Sequence, residues 1–378
     1  MSKYKLVMIV KTFKKDKNKL FPTPIPQQTA YWSNLKQKLG NTPIAIEFNT
    51  DKDYSILNSD NSKINDILII LQHIDNNYLY AYVPYGPVYE PYDEVQGKFL
   101  EELSECIRSY LPSNCLTIRY DLCWESPWAK DSDCFDHNGF WKGEPNIDSM
   151  ELRLNFNTVK WNLRKSYFNI LPSNTVLVNL LPSENDILMN MKPKTRYNIR
   201  LAGRKNVIVK TLGIAEIDIW YELYKETAIR NNIYLNDINY FKAVLTARAN
   251  DSLSPAEVLL LVAEVNNTPL SAMFLIITGN RGSYLYGASS NLNRNYMASY
   301  ALQWEAIRIC KQRACIEYDM FGVAPNPDPS HPMYGLYKFK TGFGGDIFHR
   351  MGCWDYPILH EEYEIFRAQE ICSKGFHV

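Results

Sequence analysis

The sequence predicts a mixed α/β protein made of two copies of one unit, and two observations lead there. The first is residues 283–345, which read as strand, polar loop, helix, strand and aromatic-basic turn. Such an order is a crossover unit whose connecting loops can line a cleft. The second is an internal echo. The first half runs hairpin, Tyr85-Gly86-Pro87, helix, Ile118-Arg119-Tyr120-Asp121. The second half runs hairpin, Tyr286-Gly287-Ala288, helix, Ile316-Glu317-Tyr318-Asp319. Matched order across four elements marks a repeat. A length of 378 residues also suits two domains better than one.

Taken in order, residues 6–10 are a short apolar run between lysines, too short for a signal peptide or membrane span, and fit a first strand. The expected location is therefore cytoplasmic. In residues 28–40, Tyr31, Leu35 and Leu39 recur at helical spacing and Gly40 is a stop signal. Residues 67–72 and 78–83 form a hairpin across Asp75-Asn76-Asn77. A loop at 84–88, an amphipathic helix at 94–110 and a strand at 116–122 follow. Residues 126–149, polar and acidic, read as a surface excursion. A strand at 176–181 leads to a helix capped by Ser183, with Glu184 and Asp186 complementing its dipole.

From Lys192 onward the chain carries Lys194, Arg196, Arg200, Arg204 and Lys205 without an acid. This is a solvated helix face, or a phosphate-contacting stripe, because Arg196, Arg200 and Arg204 stand one turn apart. A helix at 217–229 and a hairpin at 258–278 around Asn266-Asn267 precede the crossover unit. There, Met297, Tyr300, Ala301, Trp304 and Ile307 share one helix face.

Composition removes several function classes. Formal net charge is zero, so a polyanionic partner has to be met by a local patch rather than a whole-molecule field. The eight cysteines show no C-x-x-C spacing and read as reduced thiols, and no metal site is expected. There is no Walker loop, G-x-G-x-x-G, G-x-S-x-G or H-E-x-x-H. The 26 tyrosines suit clefts for polar, extended ligands as well as core edges. The repeated unit would suit an N-acyltransferase of the GNAT type, whose glycine loop holds the pyrophosphate of coenzyme A. Here the corresponding loop is Asn293-Arg294-Asn295-Tyr296-Met297-Ala298, without glycine, which disfavours CoA. No cofactor is expected.

Five segments carry a family resemblance: Trp32 with Lys36, Tyr85-Gly86-Pro87-Val88, Lys194-Thr195-Arg196-Tyr197-Asn198-Ile199-Arg200, Tyr286-Gly287-Ala288-Ser289, and Gly335 through Gly344. Together they resemble the FemA/FemB/FemX family of non-ribosomal peptidyltransferases, which build peptidoglycan cross-bridges. The match runs from about Gln28 to Gly345 in the family's order, and its last motif is the most specific. It implies two tandem GNAT-like domains of mixed α/β class; this sequence departs from the staphylococcal-type members in having no sustained heptad run or long charged helical hairpin, so the coiled-coil arm is expected to be absent. The first would span 1–168, with 353–378 returning to it, and the second 169–352. The resemblance also implies aminoacyl-tRNA as donor and a stem-peptide amine as acceptor, on UDP-MurNAc-pentapeptide or lipid II. The lipid-linked form would bring peripheral contact with the inner membrane face. Family members often carry Arg where Tyr85 stands, so a charge contact there is not carried over.

The reaction so implied is aminolysis of an activated ester, which needs positioning and charge stabilisation more than a covalent intermediate. Lys340 is the candidate cation for the developing oxyanion, with Phe339 beside it and Tyr337 and Phe343 to desolvate it. Read alone, Lys340 is a surface lysine next to a glycine turn. Lys36, Arg230 and Tyr234 match family positions that hold the acceptor's diphosphate, and Thr227 and Tyr85 join the substrate-binding set. Read alone, the two cations are surface ion-pair partners. Tyr286 and Asp319 lie at strand ends on the expected cleft side; the plainer readings are a core-edge tyrosine and a turn cap before Gly322. Arg196, Arg200 and Arg204 are candidates for the tRNA acceptor stem. His331 reads as a loop histidine, and no general base is assigned. The rival functions are a CoA-dependent N-acyltransferase, a non-catalytic muropeptide-binding module and an aminoacyl-tRNA transferase acting on protein N-termini.

Overall fold

The computed structural model describes residues 10–50 and 64–372. Apart from Val10, the strand expected at 6–10 lies outside them. In chain order the strands are β1 (Val10–Lys15), β2 (Thr42–Thr50), β3 (Ile64–His73), β4 (Leu79–Val83), β5 (Cys115–Glu125), β6 (Arg164–Lys165), β7 (Asn174–Asn179), β8 (Ile208–Leu212), β9 (Glu257–Val265), β10 (Thr268–Thr278), β11 (Arg281–Ser289), β12 (Glu317–Gly322) and β13 (Asp346–Pro357). The helices are α1 (Ala30–Lys38), α2 (Gln96–Ile107), α3 (Pro127–Lys130), α4 (Ile147–Asn155), α5 (Glu184–Asn190), α6 (Pro193–Arg204), α7 (Ile217–Asn231), α8 (Ile238–Thr246), α9 (Ala298–Gln312), α10 (Tyr334–Lys340) and α11 (His360–Cys372).

The chain divides into two units. Unit 1 holds residues 1–21, 27–173 and 349–378, and unit 2 holds 22–26 and 174–348. Unit 1 has a sheet in the order β1-β2-β3-β4-β5-β13, antiparallel except for the parallel pair β4/β5. Unit 2 repeats that order as β8-β9-β10-β11-β12-β7, with β11/β12 as its parallel pair. A parallel pair demands a crossover, and α2 and α9 supply it. The echoed tyrosines tie each crossover helix to its strand: Tyr120 Oη meets Ser104 Oγ of α2 at 2.9 Å, and Tyr318 Oη donates to Gln303 of α9 at 2.6 Å. The expected mixed α/β fold in two copies of one unit is thus present. Among the described residues the longest helices, α7 and α9, have 15 residues each, so no long helical arm projects. None is long and apolar enough to cross a membrane.

Each unit buries one helix stripe against its sheet. In unit 1, Phe99, Leu100, Leu103 and Ile107 of α2 pack on Ile46, Ile67, Ile69 and Ala81. In unit 2 the buried stripe of α9 is Ala298, Leu302, Ala306, Ile307 and Cys310. This differs from the expected face: Tyr300 and Trp304 pack only at its margin, and Met297 precedes the helix in the left-handed region. Small residues at 298 and 306 let the helix approach the sheet, which favoured them over the larger aromatics.

Three further expectations change. The hairpin around Asn266-Asn267 exists as β9/β10, but by sheet position it matches β2/β3. The counterpart of the β3/β4 hairpin is β10/β11. Residues 126–149 are not merely an excursion, since they hold α3 and the start of α4 and bury Trp141 on His349, with ring centroids 4.0 Å apart. The aromatic-basic turn at 334–345 is α10 followed by a short 3₁₀ turn, Thr341–Phe343.

Candidate active site

Lys340 closes α10 inside unit 2 and is buried, so it is not a surface lysine. Its Nζ donates to the carbonyl of Gly322 at 2.7 Å and to that of Phe321 at 3.1 Å. An ammonium has three donors, so one N–H remains for a ligand. Burial draws its pKa down from 10.5 to about 7, with the Asp319 carboxylate opposing. Asp319 is itself buried. It accepts from Thr175 Oγ1 and from the backbone N of Phe321, the latter at 2.8 Å. Phe321 has a positive φ of 59°, a costly conformation for an aromatic residue. The Asp319 bond holds that turn, and the turn aims two carbonyls at Lys340. Asp319 therefore does cap the turn before Gly322, and through it shapes the lysine's surroundings. Phe339 packs against Tyr300 and Phe343 at 5.0 and 5.3 Å between centroids, which anchors α10.

Tyr284 and Tyr286 show how the strand serves the site. Residues two apart on a regular strand share a face, but a bulge intervenes: Tyr284 pairs with Leu275 and Tyr286 with Phe274. Tyr284 therefore lies on the Lys340 side, its ring centroid 5.2 Å from Nζ. Tyr286 turns to the opposite face, where its hydroxyl meets Tyr240 Oη at 2.5 Å and its ring stands edge-on to Phe241 and Phe274. Gly287 is required beside them, because a Cβ there would fall 1.6 Å from Tyr284 Oη.

A second cluster of unit 2 forms at the end of α7. Thr227 Oγ1 accepts from Ser289 N at 2.9 Å. Arg230 donates to Ser289 O, Ser289 Oγ and Asn291 Oδ1 at 2.9, 3.1 and 2.8 Å. None of these acceptors is a carboxylate, so the guanidinium keeps its charge for an anion. Partial burial and the nearby Arg294 lower its pKa, against Glu226. Tyr234 is 81% exposed, and its carbonyl accepts from Tyr224 Oη at 3.1 Å.

In unit 1, Lys36 lies on α1 with Nζ 5.3 Å from the Trp32 ring, and burial alone lowers its pKa. No charged neighbour contributes to that shift, so Lys36 is not the plain ion-pair partner it could be by sequence. Tyr85 is buried at a positive φ of 45°, its hydroxyl on the Pro172 carbonyl at 2.6 Å and the Arg350 guanidinium 4.6 Å from its ring centre. The expected stripe on α6 separates. Arg200 and Arg204 are exposed, whereas Arg196 is committed to the carbonyls of Met189 and Met191 at the end of α5. His331 accepts from Met333 N at 3.0 Å through Nδ1, as a loop histidine does.

Thr175 and Tyr284 were not singled out by sequence reasoning, and Ser289 entered only as the last residue of the Tyr286-Gly287-Ala288-Ser289 segment, with no role assigned. The sequence carries no signal for Thr175, which is distant in the chain from Asp319. Tyr284 lies two residues before that segment, and extending it by two residues towards the N-terminus would have included it.

With that geometry in place, comparison assigns the class. The model of the FemAB family matches residues 25–266 and 255–370, and the chain belongs to that family. It is 24% identical over 422 aligned positions to the aminoacyltransferase FemA of Staphylococcus epidermidis, covering 91% of this chain and 95% of the relative. It is 23% identical to a lipid II:glycine glycyltransferase of Staphylococcus epidermidis, over 57% of this chain and 65% of that relative; the match thus spans somewhat less than two thirds of the glycyltransferase's length. The crystal structure of FemX superposes with a TM-score of 0.71 at 16% identity, covering 94% of this chain and all of that one, so the fold is shared.

Proposed function

We propose that this protein is an aminoacyltransferase that moves an amino acid from aminoacyl-tRNA to a free amine on the stem peptide of a peptidoglycan precursor, in cross-bridge synthesis. The observation that carries the reading is Lys340: a buried cation on two aimed carbonyls, with one donor left over. The stem-peptide amine attacks the ester carbonyl, the oxyanion develops against Lys340, and the terminal ribose hydroxyl of the tRNA leaves. A preorganised donor in a dry site is worth far more than one in water. Arg230, with Thr227 and the Ser289 turn, holds the acceptor's diphosphate, and Lys36 is a phosphate-binding candidate within unit 1. The names of the relatives favour lipid II as acceptor. Arg200 and Arg204 are the cations offered to the tRNA backbone. A CoA donor is disfavoured, because Asn293 and Met297 of the loop before α9 take left-handed conformations with side chains in place of glycine.

Transfer of labelled amino acid from a mixed aminoacyl-tRNA pool onto UDP-MurNAc-pentapeptide and onto lipid II tests this, with Lys340→Met alongside. Label on either acceptor, reduced about 100-fold in the variant, is expected. Label on neither, with both substrates verified intact, overturns the proposal in favour of a binding module.

A further inference from the structure

We propose that the apolar rim around Arg230 is a docking surface for an anionic bilayer. This deepens the reading above and rests on Arg230 gripping the acceptor's diphosphate. Ile229 is 83% exposed, Leu292 68%, Ile233 48% and Leu235 40%. Exposed apolar side chains are ordinary when scattered, whereas a contiguous group marks an interaction site. These are contiguous. Ile229 adjoins Arg230, whose Nη1 bonds Asn291 at 2.8 Å, and Asn291 adjoins Leu292. Asn232 ends α7 in the left-handed region, and Ile233 N bonds back to Ala228 O at 3.1 Å. Tyr224 Oη holds the Tyr234 carbonyl at 3.1 Å. The loop is thus pinned from within by its backbone while its apolar side chains face outward.

Charge identifies the occupant. Arg230 and Arg294 flank the rim and lie close enough to repel each other. The nearest acid on α7, Glu226, accepts instead from Ser290 Oγ and Asn291 N, each at 3.0 Å, and Glu222 is paired with Lys225. Apolar side chains flanked by two arginines that make no salt bridge among the described residues match the interface of an anionic bilayer, where the former enter the acyl boundary and the latter meet lipid phosphates. A lipid-linked acceptor carries its diphosphate at that same depth, so docking would present Arg230 at the level of its ligand.

The test is co-sedimentation of the full chain with phosphatidylglycerol vesicles and with phosphatidylcholine vesicles, without acceptor or tRNA. The comparison protein is Ile229→Ser/Ile233→Ser/Leu292→Ser, whose changes lie at exposed positions; thermal melting checks its fold. Wild type is expected to partition at least tenfold better onto the anionic vesicles, and the triple variant to lose at least tenfold. Transfer by the variant onto a water-soluble acceptor with a truncated lipid should stay within twofold of wild type. No binding to the anionic vesicles, or equal binding by the variant, overturns the surface even if transfer proceeds. Binding that is lost in the variant, with no transfer by either protein, upholds the surface and overturns the transferase reading instead.

Discussion

Asp319 sets the surroundings of Lys340 through the turn at Phe321-Gly322. The carboxylate of Asp319 fixes the backbone N–H of Phe321, and the carbonyls of Phe321 and Gly322 then receive the lysine. The acid acts by building the turn and by its field across it.

The pH dependence of turnover should expose this lysine. Its pKa lies near 7, so it is charged below that pH and neutral above. An oxyanion-stabilising role requires the charged form, so kcat/KM should fall as pH rises through about 7. Lys340→Arg should remove that alkaline limb from the accessible range. A rate that rises up to pH 9 with the same profile in wild type and in Lys340→Arg would show that the attacking amine alone sets the pH dependence and that the charge of Lys340 does not.

Asp319→Asn tests the positioning role. Removing the negative charge leaves burial less opposed, so the alkaline limb should move to lower pH. We expect kcat/KM near neutrality to fall roughly tenfold, about 1.4 kcal/mol. An unchanged limb position would mean that Asp319 serves the turn alone.

Gly287→Ala places a methyl against Tyr284 Oη and should push that ring away from Lys340. Overpacking of this kind costs about 1–3 kcal/mol, read by urea unfolding. Activity should drop by more than stability at 25 °C explains, because the folded population stays near complete.

Arg230→Ala should raise KM for the acceptor by about 10–100-fold while leaving kcat nearly unchanged, since a bond to a charged group is worth about 1.5–3 kcal/mol. Steady-state kinetics with varied acceptor decide it. A fall in kcat with KM constant would move Arg230 from binding into the chemical step.

Acid should destabilise unit 1 through His349. Burial holds its pKa at about 4, below the usual 6.5, so the unfolded chain takes up its proton first. The neutral ring's contribution is complete above pH 6.5 and is lost as pH falls towards 4. Asp121 has the opposite sign: burial raises its pKa to about 6, so protonation favours the folded state in an overlapping window. The difference in melting temperature between wild type and His349→Phe should therefore widen as pH rises from 4 to 6.5.

The repeat was legible because each copy keeps Tyr and Asp at the same two places of one strand, and those residues do equivalent work. Tyr120 and Tyr318 both bond their crossover helices, and Asp121 and Asp319 are both buried. The helix α10 was not legible. Gly335, Gly342 and Gly344 read as a turn, while only Gly344 takes a positive φ. The burial of Lys340 and its carbonyl partners depends on β12, a tertiary fact with no local pattern. Arg196 misled for a similar reason: its spacing fits the stripe, but the end of α5 offers unpaired carbonyls close by, and satisfying them outweighs exposure.

In the order β1-β2-β3-β4-β5-β13 of unit 1, the first five strands precede residue 126, whereas β13, with the two-residue β6 paired on it, completes the sheet only after residue 346. During synthesis, therefore, the first unit cannot close when its early strands leave the ribosome. At typical elongation rates, β5 waits roughly ten to fifty seconds for its partner strand. Unit 2, whose six strands lie between 174 and 322, has its whole sheet in hand sooner. The nascent chain should thus mature in reverse order, the second-made half before the first, with the edge of β5 the place where a chaperone would be needed meanwhile.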